Sequence, residues 1–419
     1  MPDSLKVSEN TVGNRRRGSS VGNMATVGQH GLSLSTTISK DSKHKRLRKL
    51  NTQKVKNKQD LLAKFYYSFL ELNFRMTWLS PLLVVVSVLT CYLLSNNYTE
   101  SNPLHMFITI SYKTDEIDDN GYYLYDKGPK DFAFVFFYMI FFTFFREFVM
   151  SVLLKPMAYK LKVHKTGKVG RFTEQMYSIV YYGISSPFGM WVMMKLPVGW
   201  FNTYYFYETY PHKTIFSWMK VFYLGQAAFW SQQAVVVMLQ LEKPRKDFQE
   251  LVYHHIITMC LIYASYTFNF TWIGIAIYLT MDISDWFLSL SKVLNYLDAA
   301  ITPVFFVLFV GSWIYFRHYL NIKILWSVLT EFETVGTYRL DYQNGAYKCF
   351  ISKPIVFVLL FALHLLNLFW LFFILRILYR YIFQGVAKDD RSDDEDSEDE
   401  DDYEGYSTDS EEDSKEKKE

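Results

Sequence analysis

The chain has 419 residues, half of them apolar and 19% aromatic, and a net charge of only +2 that hides an uneven layout. Residues up to Thr77 are polar and basic, those after Lys388 are almost purely acidic, and an apolar middle separates them, so an ordinary water-soluble globule and a nucleic-acid partner are both excluded. Cys91, Cys260 and Cys349 are too few and too scattered for a disulfide framework or a CxxC metal site, and no metal is expected.

In chain order, residues 1–60 read as a basic, disordered cytosolic arm with Arg15, Arg16 and Arg17 just before Ser19 and Ser20, a basophilic phosphorylation pattern. No apolar stretch with a cleavage site opens the chain, so insertion is expected to rely on internal segments. Residues 61–388 form the membrane domain. A spanning helix needs about 20 mostly apolar residues, and eight stretches approach this: Trp78 to Ser95, Phe132 to Leu154, Glu174 to Leu196, Ile215 to Leu241, Leu251 to Phe270, Trp272 to Leu294, Ala299 to Tyr319 and Pro354 to Phe383. The fold class is therefore an all-α polytopic membrane protein of about eight transmembrane helices. The link Asn269 to Trp272 is so tight that the helices it joins are expected to be antiparallel neighbours.

Basic loops stay cytosolic. The arm, the loop with Lys155, Lys160, Lys162, Lys165, Lys168 and Arg171, and the loop with Lys243, Arg245 and Lys246 all fall on one face. The opposite face carries acidic residues around Asp115 to Asp119 and the sequon Asn97-Tyr98-Thr99, a glycosylation site if that face is luminal. The mildly basic stretch from Arg317 to Lys353 lands on the luminal side by parity, so either it lies along the interface or one span is miscounted. Both termini are expected in the cytosol. Residues 389–419 form an acidic, disordered tail in which Ser392 and Ser397 fit acidophilic kinase sites. The final Lys415-Glu-Lys-Lys-Glu419 fits an endoplasmic-reticulum retrieval address, against ordinary solvated charge as the alternative.

Ionisable side chains in hydrocarbon cost roughly 2.5 to 3.5 kcal/mol each, so those retained are read as functional. On the sixth stretch Asp282, Asp285, Ser289 and Lys292 recur at helical spacing along one stripe. His254, Thr258, Ser265 and Asn269 make a second stripe on the fifth, and Gln226, Trp230, Gln233 and Gln240 a third on the fourth. The bland account is interhelical hydrogen bonding, worth about 0.6 kcal/mol each; it suits the glutamines better than the aspartates. His254 lies 17 residues before Thr271 and Asp285 lies 14 after it, so at about 1.5 Å per residue the two share a height. Asp285 is thus the expected partner of His254, fixing its tautomer and raising its basicity. His255 points about 100° away and is expected to orient or pack.

These residues carry a resemblance. Tyr253-His254-His255-Ile-Ile-Thr258, with Ser265-Tyr266, Asn269-Phe270-Thr271, Gly274, Asp282-Ile-Ser284-Asp285, Lys292 and Asn295-Tyr296, resembles the Lag motif of ceramide synthases. Gly225-Gln226-Ala-Ala-Phe-Trp230 and Leu241-Glu-Lys-Pro-Arg-Lys-Asp247 are similar to the fungal members. Met281 stands where animal members often have histidine, and their homeobox-like insert is missing. The resemblance covers roughly Leu61 to Lys388. It implies a barrel-like TLC-type bundle around a central cavity, with the first span outside it. It also implies an acyl-CoA-dependent sphingoid base N-acyltransferase of the endoplasmic reticulum that uses very long acyl chains, with His254, His255, Asp282 and Asp285 as the catalytic set. The implied partners are a paralogous catalytic chain and a small single-span subunit, and the loop from Asp341 to Lys353 is implied in acyl-length choice.

No permanently bound cofactor is expected; acyl-CoA is a co-substrate with a charged head and an apolar tail, so the reacting carbon must sit just below the cytosolic surface. His254 either attacks the thioester to give an acyl-imidazole or only deprotonates the amine. Arg146 and Lys155 could meet CoA phosphates, with snorkelling as the alternative. Gln226, Trp230, Arg146 and Lys292 are the candidate substrate-binding residues. A di-iron hydroxylase is disfavoured because the nine histidines are dispersed: His30 and His44 in the arm, His105 and His212 luminal, His164 alone, His318 and His364 apart. The rival from another class is a lipid-binding or lipid-transport protein with the same bundle and no turnover.

Overall fold

The computed structural model describes residues 61–118, 121–241 and 247–384. The arm with Ser19 and Ser20, the tail with Ser392, Ser397 and the terminal lysines, and the loop residues Lys243, Arg245 and Lys246 lie outside the described residues.

Each of the eight apolar stretches falls on a helix. A first helix, α1 (Leu61–Arg75), meets α2 (Leu79–Leu94) at a bend of 109°. Then come α3 (Lys130–Lys160), α4 (Thr166–Lys195), α5 (Ser217–Met238), α6 (Phe248–Thr267), α7 (Thr271–Tyr296), α8 (Thr302–Thr330) and α9 (Ser352–Gln384). Among the described residues, α3, α7, α8 and α9 are long and apolar enough to cross a membrane, and the bent α1–α2 pair qualifies if taken as one span. The helices α4, α5 and α6 have 30, 22 and 20 residues but fall short in apolar character. Their shortfall has a visible cause: Gln175, Gln226, Gln232, His254 and His255 lie on them and are buried inside the bundle.

Burial sorts the helices. α2 buries only Val85 and Tyr92 and exposes Leu83, Val84, Val86, Leu89, Leu93 and Leu94, as an all-round apolar helix does when lipid is its solvent. It rests on α3, where Trp78 meets Phe148 edge to face at 5.4 Å. By contrast α7 is the axis of the fold: it packs along α4 on one side and α8 on the other, and Thr271, Ile275, Ala276, Leu279, Thr280, Asp282 and Ser284 are wholly buried. α5 lies between α3 and α6, and Tyr181 of α4 stacks on Phe229 of α5 with rings 7° from parallel.

The expected all-α architecture needs amending, because two small antiparallel sheets sit at one end of the bundle. Strands β1 (Lys113–Ile117), β2 (Tyr123–Tyr125) and β3 (Ile215–Phe216) form one; β4 (Arg339–Asp341) and β5 (Ala346–Lys348) form a hairpin. The α6–α7 turn fastens them. Asn269 donates to Gly345 O at 2.9 Å and accepts from Lys127 Nζ at 2.7 Å, while Lys127 also donates to His212 O at 2.9 Å. Burial holds the Lys127 amine down, to about 7.

Two further expectations are corrected. α6 and α7 touch close to their turn, where a Cβ on Gly274 would stand 2.5 Å from Ser265 Oγ, but an apolar pocket separates them beyond it, and α6 packs chiefly on α5 and α9. A short connection fixes direction, not contact along the whole length. The stretch from Arg317 to Lys353 is not a basic loop, since α8 continues to Thr330 and buries Arg317. Its other cations are consumed locally: Lys323 by Phe201 O at 2.9 Å, buried Lys348 by Val335 O, Arg339 by Asp341 at 3.0 Å and Lys353 by Glu333 at 3.0 Å. Loop-charge counting presumes free charges.

Candidate active site

Two pockets meet inside the bundle. The first, about 260 Å³, is apolar and runs between α6, α7 and α9 from Trp230 and His254 past Thr258, Ile277 and Leu359 to the hairpin residues Leu340, Tyr342 and Tyr347. On α6 its wall extends from His254 to Phe268, about 21 Å at helical rise. The second, about 240 Å³, is polar and extends the other way, lined by Arg146, Glu174, Gln175, Tyr177, Gln233, Gln240, His254, His255, Asp285, Lys292, Trp313 and Arg317 among others. Trp230 and His254 belong to both walls.

Helix α6 delivers the histidines because residues one apart point in different directions while both stay on its inner half. Both are buried, with ring centroids 5.8 Å apart. The His254 ring lies between two indoles, Trp370 at 5.2 Å and Trp230 at 6.3 Å. Trp370 is itself set by donating to Asp247 Oδ2 at 3.1 Å, which ties α9 to the start of α6. Among the described residues, the Nδ1 atom of His254 is buried without a hydrogen-bond partner, as are Tyr177 Oη, Trp230 Nε1 and Trp313 Nε1 on the same polar pocket wall.

The aspartates part company although they share a stripe on α7. Asp285 lines the polar pocket, but no hydrogen bond joins it to His254 among the described residues. Its Oδ1 accepts from Arg317 Nη2 at 2.5 Å instead. The expected His254–Asp285 pair is therefore corrected: spacing along two helices gave a height, and the lateral gap is a pocket wall filled by a side chain from a third helix. Asp282 is fully buried behind the wall, held through Oδ2 by Ser185 at 2.9 Å and by Gln226, whose amide oxygen accepts from Tyr181 Oη at 2.8 Å. Its Oδ1 has no hydrogen-bond partner among the described residues.

Of the residues expected to bind substrate, Trp230, Arg146 and Lys292 line the polar pocket. Gln226 does not, although Trp230, Gln233 and Gln240 of the same α5 stripe do; its amide is taken up instead by Asp282 and Tyr181. Arg146 is buried and pairs with Glu147 at 2.6 Å, and Glu147 accepts from Thr77 at 2.5 Å. Asn97 lies apart in the turn after α2, its Oδ1 accepting from the Thr99 amide at 3.1 Å and hydroxyl at 2.7 Å.

Arg317 is the pocket-lining residue, paired with Asp285, that sequence reasoning passed over. It occupies a π-helical segment of α8, Trp313–Leu320, an irregularity often found where function is built. An arginine after an apolar run carries the same signal that singled out the aspartates: a cation in that setting demands an anion.

Comparison with known proteins gives the family. Residues 171–376 match the TLC domain family. The chain is 54% identical over 382 residues to the ceramide synthase LAG1 of Saccharomyces cerevisiae, covering 90% of this chain and 92% of that one. It is 47% identical over 321 residues to the sphingosine N-acyltransferase-like protein FUM17 of Gibberella moniliformis, covering 76% and 82%. To the sphingosine N-acyltransferase lac1 of Schizosaccharomyces pombe it is 44% identical over 318 residues, covering 76% and 81%. With its paired histidines at the junction of a polar and an apolar pocket, the chain belongs to the ceramide synthase family of multi-pass, TLC-domain membrane proteins.

Proposed function

We propose that this chain is a ceramide synthase, transferring a very-long-chain acyl group from acyl-CoA to the amine of a sphingoid base. The observation that carries this reading is the place of His254, on the shared wall of a polar and an apolar pocket. An acyl-CoA has its thioester at that kind of boundary. Its acyl chain suits the apolar pocket, which reaches Leu340, Tyr342 and Tyr347, so the hairpin is positioned to sense chain length. Its charged head suits the wall carrying Arg146 and Lys292, since guanidinium and ammonium groups match phosphate oxygens.

In the covalent version a His254 ring nitrogen attacks the thioester carbonyl; the new C–N bond forms as the C–S bond breaks. The CoA thiolate leaves with the electron pair and takes up the ring proton. The sphingoid amine then attacks the acyl-imidazole, the amide bond forms, the bond to the ring breaks, and the amine proton returns to the imidazole. Asp285 and His255, on the same pocket wall, serve the amine and the ring. Asp282 keeps the α7 stripe in register through Gln226 and Ser185. The non-covalent version uses His254 only as the base that takes the amine proton.

The finer placement belongs to the same proposal. α4, α5 and α6 cross the membrane with the more apolar helices to make eight spans around the two pockets, with α2 at the rim. The polar pocket opens to the cytosol, both termini are cytosolic, and the membrane is that of the endoplasmic reticulum. Asn97 then faces the lumen as a glycan acceptor, and Ser19, Ser20, Ser392 and Ser397 are cytosolic phosphorylation sites. The lipid-exposed faces of the bundle suit a paralogous catalytic chain and a small single-span subunit.

The test is turnover by purified protein given acyl-CoA and sphinganine, with ceramide read by mass spectrometry. His254→Ala is expected to lose at least about 100-fold in rate, with an unchanged elution volume; full activity in that variant sinks the assignment. Intact mass after incubation with acyl-CoA alone separates the versions: an acyl adduct absent from His254→Ala supports the covalent one, and no adduct supports the base.

A further inference from the structure

Arg317 is 3% exposed, and its guanidinium is committed on several sides. Nε donates to Ser284 Oγ at 2.6 Å, Nη1 to Asn367 Oδ1 at 3.1 Å, and Nη2 to both Met281 O at 3.3 Å and Asp285 Oδ1 at 2.5 Å. Its flat face lies 4.1 Å from the Trp313 ring. An arginine so engaged has few donors left for a ligand, so its influence on one must pass through what it holds. What it holds is one oxygen of Asp285. That carboxyl keeps 18% exposure, lies on the polar pocket wall with His254, and has Arg317 as its only hydrogen-bond partner among the described residues.

The pocket wall carries charges of both signs, Glu174, Asp247 and Asp285 with Arg146, Lys292 and Arg317. Lys292 lies seven residues beyond Asp285 on α7, about 10 Å farther along the helix at helical rise. Asp285 shares this wall with His254 but makes no hydrogen bond to it among the described residues, so the carboxyl oxygen that Arg317 does not engage is available to a ligand in the pocket.

We propose that Arg317 is a positioning residue that presents Asp285 to the polar pocket as the docking carboxylate for the protonated amine of a long-chain amino alcohol. The inference rests on the ceramide synthase reading and deepens it by giving the amine its subsite. A planar guanidinium fixes one carboxylate oxygen in orientation, and the second oxygen is left to pair with an ammonium. The π-helical turn brings Trp313 and Arg317 to bear on the same stretch of α7.

The experiment is equilibrium binding of labelled sphinganine to the full chain in lipid nanodiscs, alongside binding of a non-reactive thioether analogue of acyl-CoA. Arg317→Gln and Asp285→Asn are each expected to weaken sphinganine about tenfold or more and to leave the thioether analogue within about threefold. Arg317→Lys is expected to restore part of the affinity. The double variant is expected to be no weaker than Asp285→Asn alone, because the two residues act as one unit. Unchanged sphinganine affinity in Arg317→Gln overturns the proposal. So do losses that multiply in the double variant, or a parallel loss of both ligands in Arg317→Gln with Asp285→Asn intact, which marks a purely structural role. Ceramide formation by the wild-type chain is measured in the same preparation: its absence defeats the parent reading, whereas turnover with unaltered sphinganine binding in the variants defeats this inference alone.

Discussion

Arg317 Nη2 stands 2.5 Å from Asp285 Oδ1, so the more exposed aspartate of the α7 stripe is held by α8 and not by the histidine helix α6. With side chains 3% and 18% exposed, the pair has been taken largely out of water, and removing one partner strands the other. Asp285→Ala is therefore expected to cost about 3–5 kcal/mol of stability. Asp285→Ala combined with Arg317→Met should recover most of it, since an uncharged replacement needs no counterion. Thermal unfolding in detergent checks both; a double variant less stable than Asp285→Ala would show that the guanidinium is anchored without its acid.

Thr258 on α6 and Ile277 on α7 both line the apolar pocket that joins His254 to the hairpin. Ile277→Trp adds bulk there, partway along the path assigned to the acyl chain. Catalytic efficiency with very-long-chain acyl-CoA is expected to fall by about tenfold or more while that with shorter chains stays within about threefold. A uniform drop across chain lengths would place the acyl chain elsewhere.

Gly274 is where α6 and α7 come closest, and an added Cβ would lie 2.5 Å from Ser265 Oγ and 2.8 Å from Tyr223 Oη. Ser265 is not free to swing away without loss, because its hydroxyl donates to Phe270 O at 2.8 Å in the turn itself. Gly274→Ala is expected to destabilise by about 1–3 kcal/mol. An unfolding midpoint equal to wild type would mean that the turn can widen.

The sheet end of the bundle carries a pH dependence. Lys127 is pulled down to about 7 by burial, with nearby Lys220 adding to the effect, and His212, stacked on Trp272 at 3.8 Å, is pulled to about 3 by burial and by Lys127. For both groups the unfolded chain binds the proton at a pH where the folded chain does not, so stability rises with pH. His212 contributes between about pH 3 and 6.5, and Lys127 between about 7 and 10.5. Within the upper window the stability of the wild type relative to Lys127→Met should climb by up to roughly 1.4 kcal/mol per pH unit. A difference that stays flat from pH 7 to 9.5 would contradict the buried, neutral amine.

The sequence by itself located the helices and the ionisable residues inside them. Apolar runs near spanning length cannot hide, and a histidine pair and two aspartates inside them are costly enough to mark a site. Helical spacing also placed Asp282, Asp285 and Ser289 on one inward stripe, and Asp282 and Ser289 are indeed buried. Only the tertiary structure decided who touches whom. Spacing is a coordinate along one axis, whereas partnership depends on the lateral gap between axes and on what fills it. Hence Gln226 turned from a substrate contact into the support of Asp282, and Asp285 passed from His254 to Arg317, a residue 32 positions away that one-dimensional periodicity has no means to bring across the bundle.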